Sequence, residues 1–284
     1  MANKDVPNSY SMFANVYSYM GLPLSRNVES ADVVVMGIPY DIGTTGRAGT
    51  RHGPQGVRLA SGNLRWEEKR WPWQFSVMDR LKVIDYGDLE FKPSESNSMI
   101  ETVIEHVGAV HAKGKKALCF GGDHFVTLPL LRAAHQHHGP VALVHFDAHT
   151  DTYTPEDDGA ENYDHGCMFY HAPKEGLIDP DHSIQVGIRT EYDTQSHLFE
   201  VVDAAAANDL SSADVVAAIK RRVGSMPVYL TFDIDCLDPA YAPGTGTPVV
   251  GGITTDRALK IIRGLQGLNI VGADVVEVAP SYDH

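Results

Sequence analysis

The chain has 284 residues, 43% of them hydrophobic, which is enough apolar material for one sizeable core, and it carries a formal charge of −14. That charge argues against a nucleic-acid partner, whose phosphates need basic surface, and no segment shows a signal-peptide pattern or approaches the ~18 apolar residues of a membrane span. Cys119, Cys167 and Cys236 make an odd number without paired spacing, so the chain reads as a cytoplasmic protein with buried thiols, not a disulfide scaffold.

The β-branched run VVVMGI at 33–38 reads as a first central strand. The stretch 40–58 carries five glycines but lacks a phosphate-loop fingerprint, and is expected to be a loop facing substrate or another subunit. Trp66, Trp71 and Trp73, interleaved with charged residues, read as packing or a subunit contact. LKVIDYGD at 81–88 is a second strand. A helix over 98–113 carries Ile100, Val103, Ile104, Val107 and Val110 as one stripe and stops at Gly114.

ALCFGGDH at 117–124 then delivers Asp123 and His124 at a strand end, and a helix over 128–138 follows. VALVHFDAHTDTY at 141–153 is an apolar strand, interrupted only by His145, that ends in Asp147, His149 and Asp151. In an extended chain these three alternate residues project to one side. SIQVGIR at 183–189, a helix over 212–223 capped by Ser211, VYLTFDID at 228–235 with Asp233 and Asp235, a helix over 255–263 and a final strand pair around NIVGADVVEV complete the alternation. Such alternation predicts a parallel sheet covered by helices on both faces, with functional loops beyond the strands' C-terminal ends.

His124, Asp147, His149, Asp151, Asp233 and Asp235 therefore fall at three strand ends on one sheet edge. Six such ligands exceed a tetrahedral structural site and suit two divalent ions roughly 3.5–4 Å apart, sharing carboxylates and a solvent hydroxide.

GGDH, HFDAHTDTY, YLTFDIDCLDPAYAPGTGTP and VVEVAP occur in that order, and from about residue 31 onward the chain resembles the ureohydrolase family of arginases, agmatinases and relatives. GRAGTRHGP, GGDHFVTLPLLRA, DHGCMFYHAPKEGLIDP and IRTEYD bring it closest to the bacterial agmatinase branch. The resemblance implies a three-layer α/β/α fold with a mostly parallel sheet of about eight strands, and two Mn ions per chain on the six residues above. It implies cleavage of a guanidinium to urea and an amine, agmatine giving putrescine, by attack of a metal-bridging hydroxide. Glu277 would pair with the guanidinium, Asp151 would accept the first proton, His165 would pass protons to the leaving amine, and Thr247 would orient substrate. Homo-oligomers, trimers or hexamers, are also implied.

Loop 152–164 holds Glu156, Asp157, Asp158, Glu161 and Asp164 with no Lys or Arg. At a site entrance it would favour agmatine's ammonium over the carboxylate of arginine or 4-guanidinobutyrate. Those substrates, a non-catalytic polyamine-binding relative and a single-metal deacetylase of related architecture are the alternatives. One domain over 1–284 is expected, ending four residues after VVEVAP, where relatives continue into a further helix.

Overall fold

Strand parity sorts the core into two faces in a computed structural model that describes residues 17–67, 69, 71–155 and 163–284. On β4 (Ala142–Phe146), Leu143 joins one apolar cluster while Ala142, Val144 and Phe146 join another. On β7 (Val228–Asp233), Tyr229 joins the first cluster and Val228 the second. Alternate residues of an extended chain point to opposite sides, so every residue of a central strand meets a helix layer. All five residues of β4 are accordingly buried.

The remaining strands are β1 (Val33–Ile38), β2 (Val83–Asp88), β3 (Lys116–Gly121), β5 (Ile184–Val186), β6 (Glu200–Val202) and β8 (Ile270–Val276). They form one eight-stranded sheet in the order β2-β1-β3-β8-β7-β4-β5-β6, and every pairing is parallel. The fold is thus the expected α/β architecture.

One face is covered by α2 (Ser96–Ala112), α3 (Thr127–His138) and α4 (Met168–Lys174). The other takes α5 (Ala204–Asp209), α6 (Ser212–Val223) and α7 (Thr255–Gly264). Helix α6 runs between the expected punctuation marks. The Ser211 hydroxyl accepts from the Asp214 N–H at 3.1 Å, Lys220, Arg221 and Arg222 occupy the last turn, and Gly224 sits at φ 57°. Among the described residues no helix is long and apolar enough to cross a membrane, and Cys119, Cys167 and Cys236 are buried and outside any disulfide.

Three readings need correction. The final segment contributes a single strand, β8, and not a pair, because backbone pairing stops at Val276. The stretch read as a strand over 183–189 is extended only at Ile184–Val186, beyond which Gly187 turns at φ 102°. Within the glycine-rich stretch lies a short helix, α1 (Gly53–Ala60), whose Arg58 is buried and grips Asp85 through two hydrogen bonds of 2.8 and 2.9 Å.

Candidate metal and catalytic centre

The four central strands β3, β8, β7 and β4 are neighbours, and each releases its candidate residues just past its C-terminal end. His124 follows β3, Asp147, His149 and Asp151 follow β4, Asp233 and Asp235 close β7, and Glu277 follows β8. The six residues expected as ligands do converge. His124 Nδ1 lies 3.0 Å from Asp147 Oδ2, 2.9 Å from Asp151 Oδ2 and 3.3 Å from Asp233 Oδ2. His149 Nδ1 lies 3.3 Å from Asp147 Oδ1 and 3.1 Å from Asp235 Oδ2. Asp147 thus serves both groups, one oxygen to each.

The route differs from simple strand alternation. Chain 147–151 has left the strand, and Asp151 is turned back by a left-handed backbone at φ 51°. Glu277 is likewise left-handed, at φ 61°. Only Met20 joins them among the described non-glycine residues, so two of three such positions carry site carboxylates, held where the fold must support local strain. Close backbone packing shapes the same edge: a Cβ on Gly122 would lie 1.5 Å from the Tyr40 carbonyl oxygen, and the Gly122 carbonyl receives the Glu277 N–H at 2.9 Å.

The donor set fits a cation. Thr231 Oγ1 donates to Asp274 Oδ1 at 2.6 Å, and therefore accepts from His124 Nε2 at 2.8 Å. Asp274 is itself fixed by Thr127 and Tyr229 hydroxyls at 3.0 and 2.9 Å. This chain orients the imidazole and leaves Nδ1 facing three carboxylate oxygens. Nδ1 is buried and finds no hydrogen-bond geometry with any of them. With Nε2 donating to Thr231, the neutral ring offers its Nδ1 lone pair to a cation shared with those carboxylates.

The electrostatics agree. Burial opposes charge on His124, yet Asp147, Asp151 and Asp233 push its pKa well above the ordinary value. Burial also resists charge on His149, which Asp147 and Asp235 nonetheless raise to about 12. Burial and the neighbouring Asp147 lift Asp151 to about 7, and burial with Asp235 and Asp147 lifts Asp233 well above its usual range. Asp147 goes the other way: burial would raise it, but His145, His124 and His149 hold it well below. Protons on these groups are the cluster's answer to four carboxylates in one buried place, and divalent metal would displace them.

Glu277 and His165 stand together beside this cluster. Glu277 Oε1 lies 2.7 Å from His165 Nδ1 and accepts the His124 backbone N–H at 2.8 Å, while Oε2 is buried without a partner. Thr247 Oγ1 approaches Asp235 Oδ2 at 3.4 Å. A cavity of about 290 Å³ is lined by Thr45, His149, Asp151, Tyr153, Asp164, His165, Gly166, Asp233 and Thr247. The glycine-rich loop therefore lies on the candidate substrate side. Trp71 and Trp73 are not on that cavity wall: Trp71 is 80% exposed and, with Trp73, sits under the Arg263 guanidinium. Glu156, Asp157, Asp158 and Glu161 lie outside the described residues, which leaves Asp164 as the acid of that loop placed on the cavity wall.

Sequence reasoning missed the supporting residues. His145 Nε2 bonds Asp147 Oδ2 at 2.7 Å and its Nδ1 meets Gln185 at 2.8 Å. Its signal was an imidazole inside an apolar strand two residues before Asp147, on the same face. Thr231 and Asp274 are directly paired across β7 and β8. Nothing in one sequence announces that pairing.

The Arginase family model matches residues 31–284. An agmatinase of Edwardsiella ictaluri is 58% identical over 96% of this chain and 89% of that protein. A crystal structure of a hypothetical agmatinase from Burkholderia thailandensis superposes with a TM-score of 0.92 at 48% identity, covering 96% of this chain and 86% of that one. The proclavaminate amidino hydrolase of Streptomyces clavuligerus gives 0.89 at 39%, covering 96% and 92%.

Proposed function

The chain belongs to the arginase family, and from that premise we propose that it is an agmatinase, hydrolysing the guanidinium of agmatine to urea and putrescine with two Mn ions per chain. The observation that carries this reading is the pair of nests sharing Asp147, with an unpartnered carboxylate oxygen of Glu277 beside them. His124, Asp147, Asp151 and Asp233 would hold one ion, and Asp147, His149 and Asp235 the other. Bound there, the ions would supply a hydroxide nucleophile near neutral pH and polarise the guanidinium.

The chain's own residues do the rest. Glu277 receives the planar guanidinium through Oε2, because Oε1 is already committed to His124 and His165. Asp151 accepts the first proton at the reacting carbon's edge of the cavity. His165, fixed by Glu277, returns a proton to the departing amine. Thr247, also on the cavity wall, orients substrate.

The cavity wall supports a cationic tail. Its described residues include the carboxylates of Asp151, Asp164 and Asp233 and no Lys or Arg, a lining that favours an ammonium tail over a carboxylate. The likeness to a proclavaminate amidino hydrolase favours, as second reading, another guanidino compound such as 4-guanidinobutyrate or arginine. On the family premise we further place the protein in the cytoplasm as a homo-oligomer, trimer or hexamer, of one domain per chain.

The test is urea release from Mn-reconstituted protein presented with agmatine, arginine, 4-guanidinobutyrate and 3-guanidinopropionate at matched concentrations. Agmatine is expected to give the highest kcat/KM. Preference for a carboxylate-bearing guanidine would keep the chemistry and discard the substrate.

A further inference from the structure

We propose that Thr45 is a positioning residue that serves His165 in both of its protonation states, its backbone N–H holding the neutral ring and its hydroxyl holding the charged one. Two contacts on a single ring nitrogen carry the inference. The Thr45 backbone N–H points at His165 Nε2 from 3.0 Å, and Thr45 Oγ1 lies 2.7 Å from the same atom.

A backbone N–H can only donate. Nε2 must then present a lone pair, which puts the neutral ring's proton on Nδ1, where Glu277 Oε1 accepts it at 2.7 Å. When the ring becomes charged, Nε2 gains a proton and the amide can no longer donate to it. The ring then tips from the amide toward the hydroxyl, which accepts from Nε2–H and turns its own proton toward the cavity that Thr45 also lines. A hydroxyl suits this position because, unlike the amide, it can accept a hydrogen bond.

The loop is anchored independently of that side chain. The Gly43 N–H donates to Asp123 Oδ2 at 2.8 Å, the His165 N–H donates to the Gly43 carbonyl at 3.0 Å, and the Arg47 N–H reaches the Gly246 carbonyl at 3.2 Å. Removing the hydroxyl should therefore leave the amide in place. The charged groups facing the ring, Glu277, Asp151 and Asp123, with Asp164 next to it in the chain, remain unchanged. Burial opposes the imidazolium, but the Glu277 hydrogen bond and charge, with Asp151 and Asp123, raise the His165 pKa to about 9.

The inference rests on the reading of His165 as proton donor, and its test separates the two. Agmatine-dependent urea release is measured against pH for wild type, Thr45→Val, Thr45→Ala and Thr45→Ser, each checked for an unchanged melting transition. The His165 ring resonance, assigned by its loss in His165→Asn, is titrated by NMR in the Mg-loaded proteins. Activity falls on the alkaline side as the donor deprotonates. Thr45→Val and Thr45→Ala should move that limb and the NMR midpoint down by about one pH unit, the equivalent of one hydrogen bond to a charged group, and Thr45→Ser should restore both. If wild type releases no urea from agmatine, the proposed function fails while the NMR midpoints still decide the role of Thr45. Unmoved midpoints in both Val and Ala variants would overturn it.

Discussion

Glu277 Oε1 shares a 2.7 Å hydrogen bond with His165 Nδ1, while Oε2 of the same carboxylate is buried with nothing to bond. One residue thus orients the proposed proton donor and still offers a desolvated acceptor to a cation. An unpaired buried acceptor is costly, and substrate guanidinium would relieve that cost.

Glu277→Gln should therefore cut kcat/KM for agmatine by about 10²–10³-fold, as loss of one aimed electrostatic partner does elsewhere. Its melting temperature should stay close to wild type. Steady-state urea release with thermal denaturation on the same preparation checks both halves.

Asp151 sits at φ 51° inside a carboxylate cluster. Asparagine tolerates that backbone and removes one charge. Asp151→Asn should raise the melting temperature of metal-free protein by a few degrees, each kcal/mol being worth about 2–4 °C for a chain of this size, and should lower metal content. Calorimetry after exhaustive chelation, with metal analysis after reloading, reads the two effects. A metal-free variant that melts below wild type would contradict the account.

Arg189 gathers the carbonyls of Asp235, Leu237 and Val249 on one guanidinium nitrogen, at 2.7, 3.3 and 2.6 Å, and reaches Gly187 and Val250 with its others. It ties the Asp235 turn to the segment beyond Thr247. Lysine keeps the charge and loses the fork. Arg189→Lys should cost about 2–4 kcal/mol of stability and loosen the ion nearest Asp235. Denaturant unfolding and competition with a chelator of known affinity measure these.

His111 is 4% exposed, and burial with the neighbouring charges of His138, His137 and Lys116 lowers its pKa from 6.5 to about 4. Between those values the unfolded chain binds a proton that the folded chain refuses. Stability from this group is present above pH ~6.5 and is lost as pH falls toward 4, by an amount on the order of 3 kcal/mol. His111→Gln should flatten the fall in melting temperature between pH 7 and 4.5. An equally steep fall would assign acid lability to other groups.

The sheet was readable because buried parallel strands are continuous apolar runs: VVVMGI at 33–38 and ALVHF within 141–153 appear where expected. Helix α6 was readable to the residue through Ser211 and Gly224. Short elements such as α4, α5 and β6 were missed, since helices of six or seven residues and a strand of three carry too little periodicity. The candidate ligands stood out as charged residues ending apolar strands. What holds them did not: the Thr231 and Asp274 pairing depends on β7 lying beside β8, and Asp151 reaches its place through a backbone conformation that no side-chain pattern encodes.

The most direct test of the central claim is a titration of metal-free protein with Mn, following bound metal per chain and agmatine-dependent urea release together. The account predicts that activity reaches its plateau only when two ions per chain are bound, as two nests sharing Asp147 require. Full activity at one ion per chain, or activity that persists without bound metal, would contradict it.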